Sequence, residues 1–74
     1  MHLREFRKSK GLSQAQLAQK ITDVGINTSQ KQVSFYEKRA RRPTYDFMCG
    51  IKILYPEASI DYIFFDNPRE ILKK

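Results

Sequence analysis

The fold turns on residues 13–42, SQAQLAQKITDVGINTSQKQVSFYEKRARR. Ser13 followed three residues later by Gln16 is the spacing of a capping box: the hydroxyl accepts one orphan backbone N–H, and the glutamine accepts another in return. Ala15, Leu17, Ala18, Ile21 and Val24 then fall near helical spacing, so the segment predicts a helix with one apolar stripe. Gly25 is its natural stop, because glycine enters the left-handed conformation that closes a helix without steric cost. Thr28 or Ser29 can cap a second helix in this stretch. There Val33, Tyr36 and Ala40 share a face while Gln30, Lys31 and Ser34 point away from it. Pro43 ends the run, and Arg42 before it is pushed out of helical geometry.

Outward from this pair, Leu3 and Phe6 stand three apart among charges, with Lys10 and Gly11 closing a short first helix. On the other side Thr44 can cap a helix with Phe47, Met48, Ile51 and Leu54 inward. A glycine inside it, Gly50, costs about 1 kcal/mol relative to alanine. Pro56 breaks the chain, Ser59 caps SIDYIFF, and Asp66-Asn67-Pro68 opens a last turn or short helix with Ile71 and Leu72 as its apolar pair. The expectation is an all-α protein, a compact bundle of about five short helices. Residues 1–66 would form the domain, and 67–74 a tail or short helix that supports a dimer.

The length of 74 residues fits one small domain. Such a chain buries a limited core and rarely walls a deep pocket. The net charge is +6 and unevenly spread: residues 1–43 hold ten Lys/Arg against three acids, residues 44–74 four against five. A basic half beside a neutral half suggests a polyanionic partner, nucleic acid or an anionic membrane surface. One cysteine, Cys49, excludes an intrachain disulfide, and it is read as a small buried apolar residue. With only His2 beside it, the chain falls short of the ligand set of a structural zinc site, so no metal or other cofactor is expected. His2 itself carries no assigned role. The opening MHLREFRKSKGL has no signal-peptide apolar region, and no apolar run approaches the about 20 residues of a membrane span, so a cytoplasmic setting is expected. No nucleophile–base pair, paired carboxylates or metal cluster can be named, which argues against an enzyme.

The polar start of the helix near Ser29 bears on function. Glutamine bonds adenine and lysine bonds guanine from the major groove, and Lys38, Arg39, Arg41 and Arg42 follow at once as a cluster suited to phosphates. Base contacts to specify and phosphate contacts to position would thus lie side by side. Taken alone, Gln14, Gln30 and Gln32 also fit a solvated helix face, and the cluster fits a solubilising patch. Of the aromatic pair, Tyr36 shares the Val33 face, leaving Phe35 exposed or at a groove.

The segments LREFRKSKGLSQAQLAQ, SQKQVSFYEKRARRP and SIDYIF, in this order, resemble the lambdoid phage repressor and Cro helix-turn-helix family, also called the xenobiotic-response-element (XRE) family. The resemblance spans roughly residues 3–65. It implies a lambda-repressor-like domain that reads double-stranded DNA with the helix beginning near Ser29. Gln30, Lys31, Ser34 and Phe35 would face bases, Phe35 through a thymine methyl. Gln14, Gln32, Lys38, Arg39, Arg41 and Arg42 would meet phosphates, Gln14 alternatively bracing the reading helix. Arg7 and Glu37 match a pair that forms an internal salt bridge. Three features depart from the pattern. The link between the two central helices is about four residues longer than the usual tight turn. The glycine usual after the glutamate is Arg39, so the helix would run on or turn differently. LYPEAS is also longer than its counterpart.

Tyr62, Phe64, Phe65, Ile71 and Leu72 form a large apolar set for so small a domain. They are read as a two-fold dimer interface, with intramolecular core as the alternative. A homodimer would place two reading helices about 34 Å apart on a palindromic operator. The expected function is a Cro-like or repressor protein of a phage, plasmid or mobile element, with no small-molecule ligand and no membrane partner. An antitoxin or adaptor that uses the same fold to bind protein, or a restriction-modification controller, is the alternative.

Overall fold

A computed structural model describes residues 2–64. Five helices follow one another: α1 (Leu3–Ser9), α2 (Gln14–Asp23), α3 (Gln30–Glu37), α4 (Tyr45–Leu54) and α5 (Ile60–Phe64). No strand occurs among the described residues. Helix α2 is the hub, packed against both α3 and α4, while α1 rests on α3 and α5.

The helix starts are made by side chains. Ser13 accepts from the Gln16 N–H at 3.1 Å while its own N–H donates to Gln16 Oε1 at 2.8 Å. Ser29 and Gln32 repeat the arrangement at the head of α3, with 3.2 and 2.9 Å bonds. It is therefore Ser29, not Thr28, that caps α3. Thr44 accepts from the Phe47 N–H, and Ser59 from the Tyr62 N–H. Each such cap is worth about 1 kcal/mol.

The ends of α2 and α3 follow one pattern. Behind α2, Gly25 has φ 96°, its N–H donates to Thr22 O, and the Ile26 N–H reaches back to Ile21 O. Behind α3 the same two bonds recur around Arg39: its N–H donates to Tyr36 O at 3.1 Å and the Ala40 N–H to Phe35 O at 2.9 Å. Arg39 has φ 62°, the left-handed region. The helix thus neither runs on nor loses its usual stop. Arginine adopts the conformation that glycine would supply, at a cost of about 1–2 kcal/mol. One consequence corrects the apolar face: α3 ends at Glu37, so Ala40 lies beyond it and is exposed.

The long α2–α3 link is tied down. The Thr22 hydroxyl donates to Thr28 O, and the Thr28 N–H donates to Thr22 Oγ1. Ile26 packs against the core. Gly50 finds its reason here: a Cβ on it would lie 3.0 Å from Ile21 Cδ1 and 3.1 Å from Ile26 Cδ1. The propensity lost in α4 is exchanged for its close approach to α2 and the link.

The core joins Leu3 of α1, Leu17, Ala18 and Ile21 of α2, Val33 and Tyr36 of α3, Phe47 and Ile51 of α4, and Ala58, Ile63 and Phe64. Tyr36 meets Phe47 edge-on at 4.9 Å, and Phe47 meets Phe64 at 6.1 Å. Phe64 is 7% exposed, which places it in the core rather than on an outer face. Ala15, expected in the apolar stripe, is exposed, and Cys49 is half-buried. His2 is more engaged than the sequence suggests: its N–H donates to Ile63 O at 2.7 Å and its ring stacks on Tyr62 at 4.4 Å, which pins the start of the chain to α5.

Candidate nucleic-acid interface

A buried polar triad links three helices at the junction of α1, α2 and α3. Arg7 Nε donates to Glu37 Oε2 at 2.6 Å and Arg7 Nη2 to Glu37 Oε1 at 3.3 Å. Gln14 Nε2 donates to the same Oε1 at 3.1 Å. The remaining Arg7 nitrogen, Nη1, donates to Leu12 O at 2.6 Å, in the turn between α1 and α2. The Arg7 and Glu37 side chains are 9% and 5% exposed, so water does little of the solvation. A pair this buried is held by geometry rather than by net Coulomb gain, and removing one partner strands the other's charge. Its structural consequence is orientation: the last residue of α3 is clamped to the first residue of α2 and to the middle of α1. Gln14 thereby braces α3.

The head of α3 faces outward. Gln30 and Lys31 are exposed in its first turn, and Ser34 one turn on is half-buried. Gln32 is placed differently from these: its amide oxygen is held by the Ser29 cap, so what remains to it is the amide N–H₂. The same Ser-x-x-Gln spacing that marked Ser13 and Gln16 marks this role too.

Past α3 comes the basic stretch. Lys38 is the C-cap of α3 and Arg39 its left-handed successor. Arg41 turns back, its guanidinium 5.3 Å from the centre of the half-buried Phe35 ring. A cation at this distance over an aromatic face is held by the ring quadrupole. Phe35 therefore carries Arg41, and the two expected contacts form one unit. Arg42 is exposed. Tyr45, at the head of α4, is 79% exposed. Its hydroxyl pKa is raised, first by a hydrogen bond with Cys49 one turn on.

A concavity of about 270 Å³ lies over the polar triad, lined by Arg4, Arg7, Gln14, Glu37 and Lys38. It sits just below the range of about 300–1,000 Å³ typical of small-molecule pockets. Arg4 was not singled out in the sequence. Its signal was the spacing to Arg7, since residues three apart share a helix face.

The expected interface residues near the C-terminus divide. Tyr62 is 54% exposed, Phe64 is in the core, and Phe65, Ile71 and Leu72 lie outside the described residues. Among the described residues no group of three or more His, Cys, Asp or Glu side chains is arranged to hold a metal, and no helix is long and apolar enough to cross a membrane.

Two helices locked at a fixed angle, the second with polar side chains outward at its head and cations at its tail, define a helix-turn-helix nucleic-acid reader. A family model described as helix-turn-helix matches residues 3–51. The chain belongs to this family, the XRE or lambda-repressor-like helix-turn-helix proteins, and is a DNA-binding transcription regulator. No curated protein and no solved structure matches it significantly.

Proposed function

We propose that the protein is a Cro-like repressor of a phage, plasmid or mobile element that occupies an operator overlapping a promoter, with α3 in the major groove. The observation that carries this reading is the exposed first turn of α3, where Gln30 and Lys31 stand free of the core, on a helix whose far end opens into a run of cations. Gln30 and Lys31 would read base edges, glutamine favouring adenine and lysine guanine, with Ser34 next along the face. Lys38, Arg39, Arg41 and Arg42 would meet the backbone, and Phe35 would hold Arg41 in place for it. The basic first half supplies sequence-blind, salt-sensitive attraction, and α3 adds discrimination on top of it.

A homodimer on a palindromic site is part of the proposal, since one reading helix contacts few base pairs. Tyr62 on α5, 54% exposed, is the described side chain we assign to that contact. The test is fluorescence anisotropy with duplexes selected from a random pool. A two-fold symmetric consensus, bound by two chains per duplex, is the expected outcome. An asymmetric site bound by one chain would overturn the dimer while leaving the reading helix standing.

A further inference from the structure

We propose that Arg4, on α1 and outside the two-helix unit, completes a seat for one backbone phosphate together with Lys38. This rests on the DNA reading above and adds a contact to it. Arg4 of α1 and Lys38, the C-cap of α3, line one concavity, whose floor is the Arg7–Glu37–Gln14 triad. The one carboxylate in that concavity, Glu37, is already matched by Arg7 and bonded by Gln14, so it leaves the two cations uncancelled. Among the described residues the Arg4 and Lys38 side chains make no ion pair or hydrogen bond. Two unmatched cations around a small concavity suit a single anionic group better than an organic ligand. The concavity also adjoins the tail of α3, where the basic run 38–42 begins. A phosphodiester of the duplex that α3 reads is therefore the anion it would take.

The triad gives the seat a purpose beyond charge. A phosphate held over the floor touches α1 and the end of α3 at once, so it would fix the depth and angle at which α3 enters the groove. Phosphate contacts generally serve this positioning role.

Lys8 provides the control. It carries the same charge on the same helix and is exposed, but it does not line the concavity. The experiment measures wild type, Arg4→Ala and Lys8→Ala on a duplex selected by the wild-type protein, between about 50 and 200 mM salt. It is repeated with single neutral methylphosphonates scanned along the duplex. For a true contact, Arg4→Ala lowers the salt slope by about one, so the wild-type advantage shrinks about 3.5-fold across that range. One methylphosphonate position should also weaken wild type more than it weakens Arg4→Ala, in which only Lys38 still meets that phosphate. Lys8→Ala should couple to no single phosphate. Equal losses for the two variants, with every methylphosphonate additive, would reduce Arg4 to general field and overturn the inference. Melting of Arg4→Ala should match wild type, since the side chain is exposed, and a lowered melting temperature would assign it to the fold instead. Wild type that binds no duplex above scrambled DNA would contradict the DNA reading itself, seen before any variant is compared, and would remove the ground for the seat.

Discussion

Helices α2 and α3 are built to one plan and put to different uses. Each begins with a serine whose hydroxyl and backbone are bridged to a glutamine three residues on. Each ends with the same pair of backbone bonds closed by a left-handed residue. They part in what they bury and in what closes them. Helix α2 sinks Leu17, Ala18 and Ile21 into the core and ends on Gly25, whereas α3 sinks only Val33 and Tyr36 and ends on Arg39. Helix α2 closes on the residue that local preference favours. Helix α3 departs from preference where a cation stands next to its tail. Backbone strain held by surrounding structure is often found at functional positions, and Arg39 fits that association.

The largest expected effect falls on the bond that joins the two helices. Glu37→Gln keeps the shape but leaves the Arg7 guanidinium buried without its counter-charge. It should destabilise by about 3–5 kcal/mol in urea melts. A loss under 1 kcal/mol would mean the junction is solvated and the helices are held together by apolar packing alone.

Next come the outward residues of α3. Gln30→Ala and Lys31→Ala should each cost about 1–3 kcal/mol on the selected duplex and much less on scrambled DNA, with melting unchanged. Equal losses on both duplexes would make the head of α3 no different in kind from the solvated face of α2.

The two helix ends make a mirrored pair. Gly25→Ala places a Cβ at φ 96° and should cost about 1 kcal/mol. Arg39→Gly relieves the same strain and should add about 0.5–1 kcal/mol of stability while weakening DNA binding. An Arg39→Gly protein that is both more stable and equally tight on DNA would show that the arginine is not kept for contact. Smallest are the helix starts: Ser13→Ala and Ser29→Ala should each lose about 0.5–1 kcal/mol, measured by thermal melting. Should Ser29→Ala also lose discrimination between duplexes, the cap is shaping the reading surface and not merely holding the helix.

What the sequence alone discloses is mostly local. Ser13 with Gln16, Gly25 and Pro43 mark boundaries by their own chemistry, and the apolar spacing of Leu17, Ile21, Phe47 and Ile51 names the core. The end of α3 was less legible, because arginine at a left-handed position runs against its own preference. There the bond from the Ala40 N–H to Phe35 O, with the tertiary clamp on Glu37, outweighs it. That earlier end also left Ala40 outside the helix. Phe64 was hard to place because α5 has five residues, too few for a periodicity to say which face is inward. The stacking of Arg41 on Phe35 depends on the left-handed turn at Arg39 between them, and the concavity beside Arg4 joins α1 to residues 37 and 38, a meeting that the Arg4–Arg7 spacing does not reveal. The Gln32 cap was legible by spacing but hidden behind the polar character that also suited it to phosphate.

The central claim is that α3 reads base sequence from a frame set by α1 and α2. Its most direct test is an anisotropy titration of wild type and the Gln30→Ala, Lys31→Ala double variant on selected and scrambled duplexes at several salt concentrations. The account predicts that the double variant collapses the ratio of the two affinities toward one while its salt slope on scrambled DNA stays that of wild type. A ratio that survives the double substitution would place sequence recognition elsewhere on the molecule.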